Sequence, residues 1–451
     1  MSLQIRPAEK SITVARRASD APCLGSGLLW ALLFRPASRY FVASALFFVS
    51  QVVWAGETWP QFRGPQANGH TDATGLPLTW DGEKNIVWKT PIHDRGWSSP
   101  VIWHNQIWLT TATADGRKLY AVCVDRKTGQ IVHDLHIFDV EKPDSIAAIN
   151  SYASPTSVIE AGRVYVHYGT YGTACIDTSS GKILWTRRDL NCDHHEGAGS
   201  SVMLVDNLLV FHVDGRDVQY VVALDKTTGK TVWKTNRSVD FRSVPRDLRK
   251  CYSTPIVIGS GGQRQLISVG PRATMGYDIA TGKERWKVTY GGWSIAPRPV
   301  FGHGMVFMIN DYLRPELWAV RPDGQGDVTS SHITWRHNKS MPSRPSPLLV
   351  DDLLFVVSSG GVATCLEAKT GQVVWTERIG GKFSASPIYA VGRIYLFDES
   401  SVTTVIEPAR QFKKLATNKL NGEELMASPA AAGNSLFVRT EKHLYRIDNV
   451  R

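Results

Sequence analysis

The sequence predicts an all-β chain, an eight-bladed propeller of four-stranded antiparallel blades closed by its N-terminal strand. Three observations predict it. A phrase of Asp, Gly four residues on and Trp four further recurs at Asp177–Gly181–Trp185, Asp225–Gly229–Trp233 and Asp278–Gly282–Trp286, with variants at Asp125–Gly129–His133 and Glu367–Gly371–Trp375. A Ser-Pro-type phrase followed by an apolar strand precedes each hairpin. An unpaired strand near the start matches a strand missing from the end. A period of about 40–50 residues is the signature of a radial or stacked repeat.

The Asp phrase reads as a hairpin. In residues 223–233 an apolar run ends at Asp225, whose carboxylate can accept turn N–H groups. Gly229 supplies the positive φ that a short loop requires. The next strand alternates and presents Trp233 as a large apolar face.

The openings are Ser99-Pro100, Ser154-Pro155, Ser200-Ser201, Thr254-Pro255, Ala296-Pro297, Ser346-Pro347, Ser386-Pro387 and Ser428-Pro429. Proline at the start of a strand fits an edge, where its missing N–H breaks no ladder. Each opening begins one blade: a first strand, a second, a third ending in Asp and a fourth carrying Trp.

The eighth unit has only three strands, the last two at 434–440 and 443–447. Residues 85–92, with Trp88, supply the fourth and close the ring. A ring leaves only short, protected edges. Blade five departs from the phrase at 321–326, with Trp335 arriving late, and blade seven at 407–415 has neither Gly nor Trp. Such departures mark either an extended loop or simple drift.

Composition allows an ordinary globular chain: 451 residues, 43% hydrophobic and 20% charged. Residues 1–55 read as a leader outside the fold. An apolar stretch at 41–54 follows Arg35 and Arg39 and ends in a small-residue cleavage pattern at 53–55, which is a signal peptide and too short for a comfortable span. Residues 56–84 form an N-terminal extended segment and 85–451 the propeller. The expected location is periplasmic or secreted, as a monomer.

Six of the 51 Lys and Arg and two of the 41 Asp and Glu fall in 1–55, leaving 45 against 39, a net +6. That mild excess suits anionic partners such as acidic glycans or envelope lipids. The expected partner is an envelope protein or an anionic ligand. No basic run or aromatic-basic ladder suggests nucleic acid. Cys123, Cys175 and Cys365 each stand two residues before a blade Asp or Glu, and so read as core side chains. Cys192 and Cys251 are free to bridge or not in an oxidising compartment.

These phrases resemble the PQQ-like, quinoprotein-type β-propeller repeat from about Trp59 to the C-terminus. Residues 59–65 (Trp-Pro-Gln-Phe-Arg-Gly-Pro), 96–100, 171–177 and 317–324 are similar to a group of secreted bacterial propellers labelled PQQ-binding-like or BamB-like. The resemblance implies two activities. Quinoprotein dehydrogenases bind pyrroloquinoline quinone with calcium over a tryptophan platform, use an aspartate base, and many carry a disulfide between adjacent cysteines. This chain has no Cys-Cys pair, and no calcium-ligand set matches residue by residue. The assembly-factor propeller is a lipoprotein scaffold, and no Cys follows the apolar run here.

In such a ring the loops before each opening crowd one mouth of the channel. They bring Arg95, Trp97, Tyr152, His194, His195, Arg249, Lys250, Tyr252, Trp293, Arg298, Arg344 and Lys382, with Glu196 and Glu424 the nearby acids. Convergent charge in a concave mouth is a binding site by default. It would hold a carboxylate, a sulfated sugar or an acidic tail, with Arg making bidentate contacts. The alternative is a solvated rim paired with Asp94, Asp193 and Asp247.

Residues 192–197 (Cys-Asp-His-His-Glu-Gly) form the densest metal-capable cluster. Adjacent histidines on an extended loop point to opposite sides, and a structural or ligand-contacting loop is favoured over a metal site. Arg242, Arg246 and Arg249 in the loop 238–250 either face an anion or pair with Asp240 and Asp247. The blade tryptophans read as core because they repeat. No nucleophile, base and acid arrangement emerges, and residues 197–201 lack the strand-turn-helix context of a serine elbow.

The reading is an exported binding or scaffold module acting at the channel mouth. One alternative is a quinone-dependent alcohol oxidoreductase. Another is a glycan-binding accessory with Trp97 and Trp293 stacking on sugar rings.

Overall fold

A computed structural model of the chain describes residues 56–259, 263–390 and 392–449. The signal peptide expected in 1–55 lies outside them.

Eight antiparallel sheets follow one another along the chain. Blade one is Val101–Trp103, Gln106–Ala112, Lys118–Asp125 and Ile131–Asp139. Every blade begins with a strand of three residues, from Val101–Trp103 to Ala430–Ala432. Blade eight is completed by Ile86–Pro91, antiparallel to His443–Ile447 with Trp88 opposite Arg446. The ring therefore closes by joining the N-terminal strand to the last three.

The recurring phrase is the joint between blades. The Asp225 carboxylate accepts the N–H groups of Thr227 and Thr228 and the Thr228 hydroxyl. The turn glycines 129, 181, 229, 282 and 371 all have φ near +70°. Trp88, Trp185, Trp233 and Trp335 each lie on the glycine of the next blade, and these four together with Trp375 donate their indole hydrogens to a turn carbonyl there. Trp88 donates to Arg126, Trp185 to Lys226, Trp233 to Ile279, Trp335 to Ala368 and Trp375 to Ala409, at 2.9–3.1 Å. A Cβ on Gly229 would sit 2.7 Å from the Trp185 ring, so glycine is required by the approach as well as by φ.

The two irregular blades have structural explanations. Blade five offers no docking glycine, and Trp286 turns back to donate to Gln265 of its own blade at 2.8 Å. The blade-five insertion lays Gly326–Asp327 parallel to Glu284–Thr289, adding a fifth strand to blade four. In blade seven Ala416 stands opposite Val405, where blade one places His133 and the other blades Trp. Trp80, from the N-terminal segment, is buried between blades seven and eight and stacks near Tyr395 and Phe397.

The core is a series of inter-blade clusters rather than one centre. Cys123, Cys175 and Cys365 are buried within it. Cys192 and Cys251 are free thiols: Cys251 donates to the Ile295 carbonyl at 3.2 Å, and Cys192 lies 3.4 Å from His194 Nε2. Among the described residues no helix is long and apolar enough to cross a membrane.

Candidate functional site

The first strands line the channel, and their openings are tied blade to blade. Ser99 N–H donates to Thr156 Oγ1, Thr156 N–H to Ser201 Oγ and Ser201 N–H to Thr254 Oγ1, at 2.9–3.0 Å. On the other side Arg298 N–H donates to Ser346 Oγ, Ser346 N–H to Ser386 Oγ and Ser386 N–H to Ser428 Oγ. The Ser or Thr two residues before a first strand thus satisfies the exposed edge of the neighbouring blade; in blade two this residue is Thr156, not the expected Ser154, and in blade five Arg298 stands there in place of the expected Ala296.

The N-terminal segment crosses the channel. Trp59 exchanges backbone hydrogen bonds with Ile102 of blade one, and the Pro60 carbonyl accepts from Ile159 of blade two. Residues 66–68 pass blades four and five, and His70–Thr71 pairs with Tyr389–Ala390 of blade seven. Arg298 fixes this crossing. It is fully buried and donates to the Pro255 carbonyl, at 2.7 Å from Nη2, and to the Phe62 carbonyl at 2.5 Å. Burial, reinforced by the Arg63 charge, holds its pKa down to about 9.

Above the crossing, a cavity of about 320 Å³ opens at the mouth. Phe62 is its floor. Trp97, Ile149, Tyr252, Tyr312 and Met426 form its walls, with Arg344 and Glu196 as its charged side chains. Ile149 and Leu313, two exposed apolar side chains, stand in the loops that border it.

Trp97, Tyr252 and Arg344 are the sequence-predicted residues that line this cavity. Trp97 donates to the Ile149 carbonyl at 3.1 Å, and the Arg95 guanidinium lies over its ring. Arg95 is paired with Glu424 at 3.5 Å and with Glu441 at 3.8 Å. The Tyr252 hydroxyl lies 2.9 Å from Glu196 Oε2, and Lys250 lies 3.3 Å from Oε1. Lys250 is buried, 6.0 Å from the centre of the Trp293 ring. Arg344 Nη1 donates to Glu399 at 2.9 Å and to Ser384 at 2.6 Å.

The other predicted residues lie elsewhere. Arg298 is under the floor, tied to main chain. Tyr152 donates to the Asp144 carbonyl at 2.7 Å and packs near Tyr171. His194 Nε2 accepts the Thr170 N–H at 3.1 Å, and burial holds its pKa down to about 4, so it is neutral. His195 and Lys382 are exposed and Arg249 donates to the Val244 carbonyl. Arg242 pairs with Asp240, and Arg246 with Asp193. The mouth cations are thus largely paired, and the mouth is closer to neutral than their number suggests.

Sequence reasoning missed Phe62, Tyr312, Met426 and the hydroxyls. It also missed a buried group of His212, Asp214 and Cys251. Arg237 grips that Asp214 at 2.6 and 2.7 Å, so its charge is already neutralised.

Residues 95–235 and 217–449 match the family model described as outer membrane protein assembly factor BamB. The chain belongs to the BamB family. No curated protein is similar enough to match. Among solved structures, BamB from Moraxella catarrhalis has a TM-score of 0.57 at 12% identity, over 81% of this chain and 98% of that one. Quinohemoprotein alcohol dehydrogenase from Comamonas testosteroni has 0.62 at 9%, over 88% and 81%. A europium-containing methanol dehydrogenase has 0.63 at 10%, over 87% and 98%. At these identities the structural likeness establishes the fold alone.

The BamB-family ring here does not fit a calcium–quinone pair at the mouth. Calcium takes six to eight oxygen ligands, several of them carboxylates. The cavity presents one carboxylate, Glu196, and both its oxygens are engaged. No chemical step is derived through that group.

Proposed function

We propose that this BamB-family propeller is an exported binding module that captures an envelope partner or an anionic ligand in the cavity at its channel mouth. One observation carries the reading: the cavity ends on Phe62, supplied by the chain's own N-terminal segment. A channel closed at one end holds a ligand instead of passing it. The walls combine apolar and aromatic surface with a few oriented polar groups, the usual make-up of a small-ligand site. At about 320 Å³ the cavity matches one small molecule or one or two side chains of a partner. Rigid blades beneath variable loops are the general arrangement for recognition.

Titration of the purified protein with pyrroloquinoline quinone, with and without calcium, alongside dye-linked alcohol oxidation, tests this reading. Binding of fragments at the mouth without turnover supports it. Calcium-dependent quinone binding with turnover overturns it in favour of an oxidoreductase. The sugar-stacking alternative draws less support, because Trp293 is not among the residues lining the cavity.

A further inference from the structure

The hydroxyls of the blade openings have a second property. Thr156, Ser201, Thr254 and Ser428 each accept a backbone N–H from the neighbouring blade. None donates to another group among the described residues, and all four line the cavity. Each therefore keeps its own hydrogen for something inside. Ser99 lines the same cavity and its hydroxyl makes no bond to the described residues. Ser294 Oγ is buried there without a partner, and so is Arg344 Nε. A buried polar group without a partner costs free energy that a ligand can recover.

The acceptors are already occupied. Glu196 is held by Tyr252 and Lys250. Asn150 Oδ1 accepts from Ser151 at 2.8 Å and Ser154 at 2.6 Å. The interior thus offers many donors and few free side-chain acceptors, beside an aromatic floor and wall.

We infer that the opening hydroxyls form a donor collar for a carboxylate, and that the ligand is a small carboxylate bearing an aromatic or aliphatic group. This rests on the mouth cavity being the binding site. The carboxylate takes O–H donors from the collar with Arg344 alongside, and the apolar group lies against Trp97, Tyr252 and Phe62. Such a group occurs in a free organic acid and at the C-terminus of a polypeptide.

Isothermal titration of the full-length protein with phenylacetate and with phenylacetamide tests the collar. The acid should bind about tenfold more tightly, the worth of one charge-assisted hydrogen bond. Ser99→Ala should reduce that preference and leave the melting temperature unchanged, since the Ser99 hydroxyl holds no other blade. N-acetyl-Gly-Phe with a free or amidated end separates the sources: tighter binding of the acid-ended peptide than of phenylacetate assigns a polypeptide end, and the reverse a free acid. Equal binding of acid and amide, or binding of a neutral sugar alone, overturns the collar and leaves the cavity as a site. If no probe binds, both readings fall.

Discussion

The indole of Trp233 lies on Gly282 of the next blade and donates to the Ile279 carbonyl at 2.9 Å. Two residues of the recurring phrase, taken from consecutive copies, thus meet in space. The phrase recurs because a copy can offer a Trp forward, as Trp185 and Trp233 do, and a Gly backward, as Gly229 and Gly282 do.

Trp233→Ala should cost about 3–5 kcal/mol, since it removes a buried ring and a hydrogen bond at one joint. Urea denaturation followed by circular dichroism measures it. An unchanged midpoint would contradict the joint.

Gly282→Ala should also destabilise, by about 1–3 kcal/mol for a non-glycine residue at positive φ and more for the collision with Trp233. In a Trp233→Ala background the collision disappears and the cost should fall. A double-mutant cycle with no coupling would separate the two residues.

Arg298→Ala should leave the Phe62 and Pro255 carbonyls without their donor and loosen the crossing segment. Arg298→Lys should rescue little, because an ammonium cannot reproduce the fork that spans both carbonyls. Proteolysis near Phe62 is the readout, and protection equal to the parent protein would make the clamp unimportant.

His167 is buried against Phe211, with Nδ1 2.8 Å from the Thr173 hydroxyl, and burial holds its pKa down to about 3. The unfolded chain takes up this proton near 6.5 and the folded chain does not. Stability is therefore complete above about pH 6.5 and falls as pH drops toward 3, by up to about 1.4 kcal/mol per pH unit from this group. His167→Gln should flatten that slope in melts between pH 7 and 4. An equal slope in both proteins would contradict the assignment.

Fold and site were unequally legible in the sequence. The joint residues carry their own chemistry, so Asp225, Gly229 and Trp233 announce a turn and its neighbour. Closure was legible because Trp88 stands in a strand with no partner nearby. The path of residues 59–71 was not, because it is held by backbone bonds such as Trp59 to Ile102, which no side-chain pattern encodes. Arg298 read as a ligand-facing cation because its partners are carbonyls, and carbonyls have no identity in a sequence. The partners of Arg95 were only partly legible: Glu424 was expected near the mouth, but Glu441 reaches Arg95 only when the ring closes. The collar was visible only as Ser-Pro spelling, since which lone pairs are taken depends on the adjacent blade.

Arg344→Ala should leave stability nearly intact, because the Arg344–Glu399 pair is partly exposed and such pairs contribute little. It should weaken binding of any anion at the mouth. A large loss of melting temperature would instead make Arg344 structural.

The most direct test of the cavity as the binding site is to fill it. Ala296 lines the cavity, and Ala296→Phe would occupy it. Isothermal titration of phenylacetate into the parent and the variant is the measurement. The account predicts binding to the parent, none to the variant, and the same melting temperature for both. Equal binding to both would place the ligand elsewhere and contradict the account.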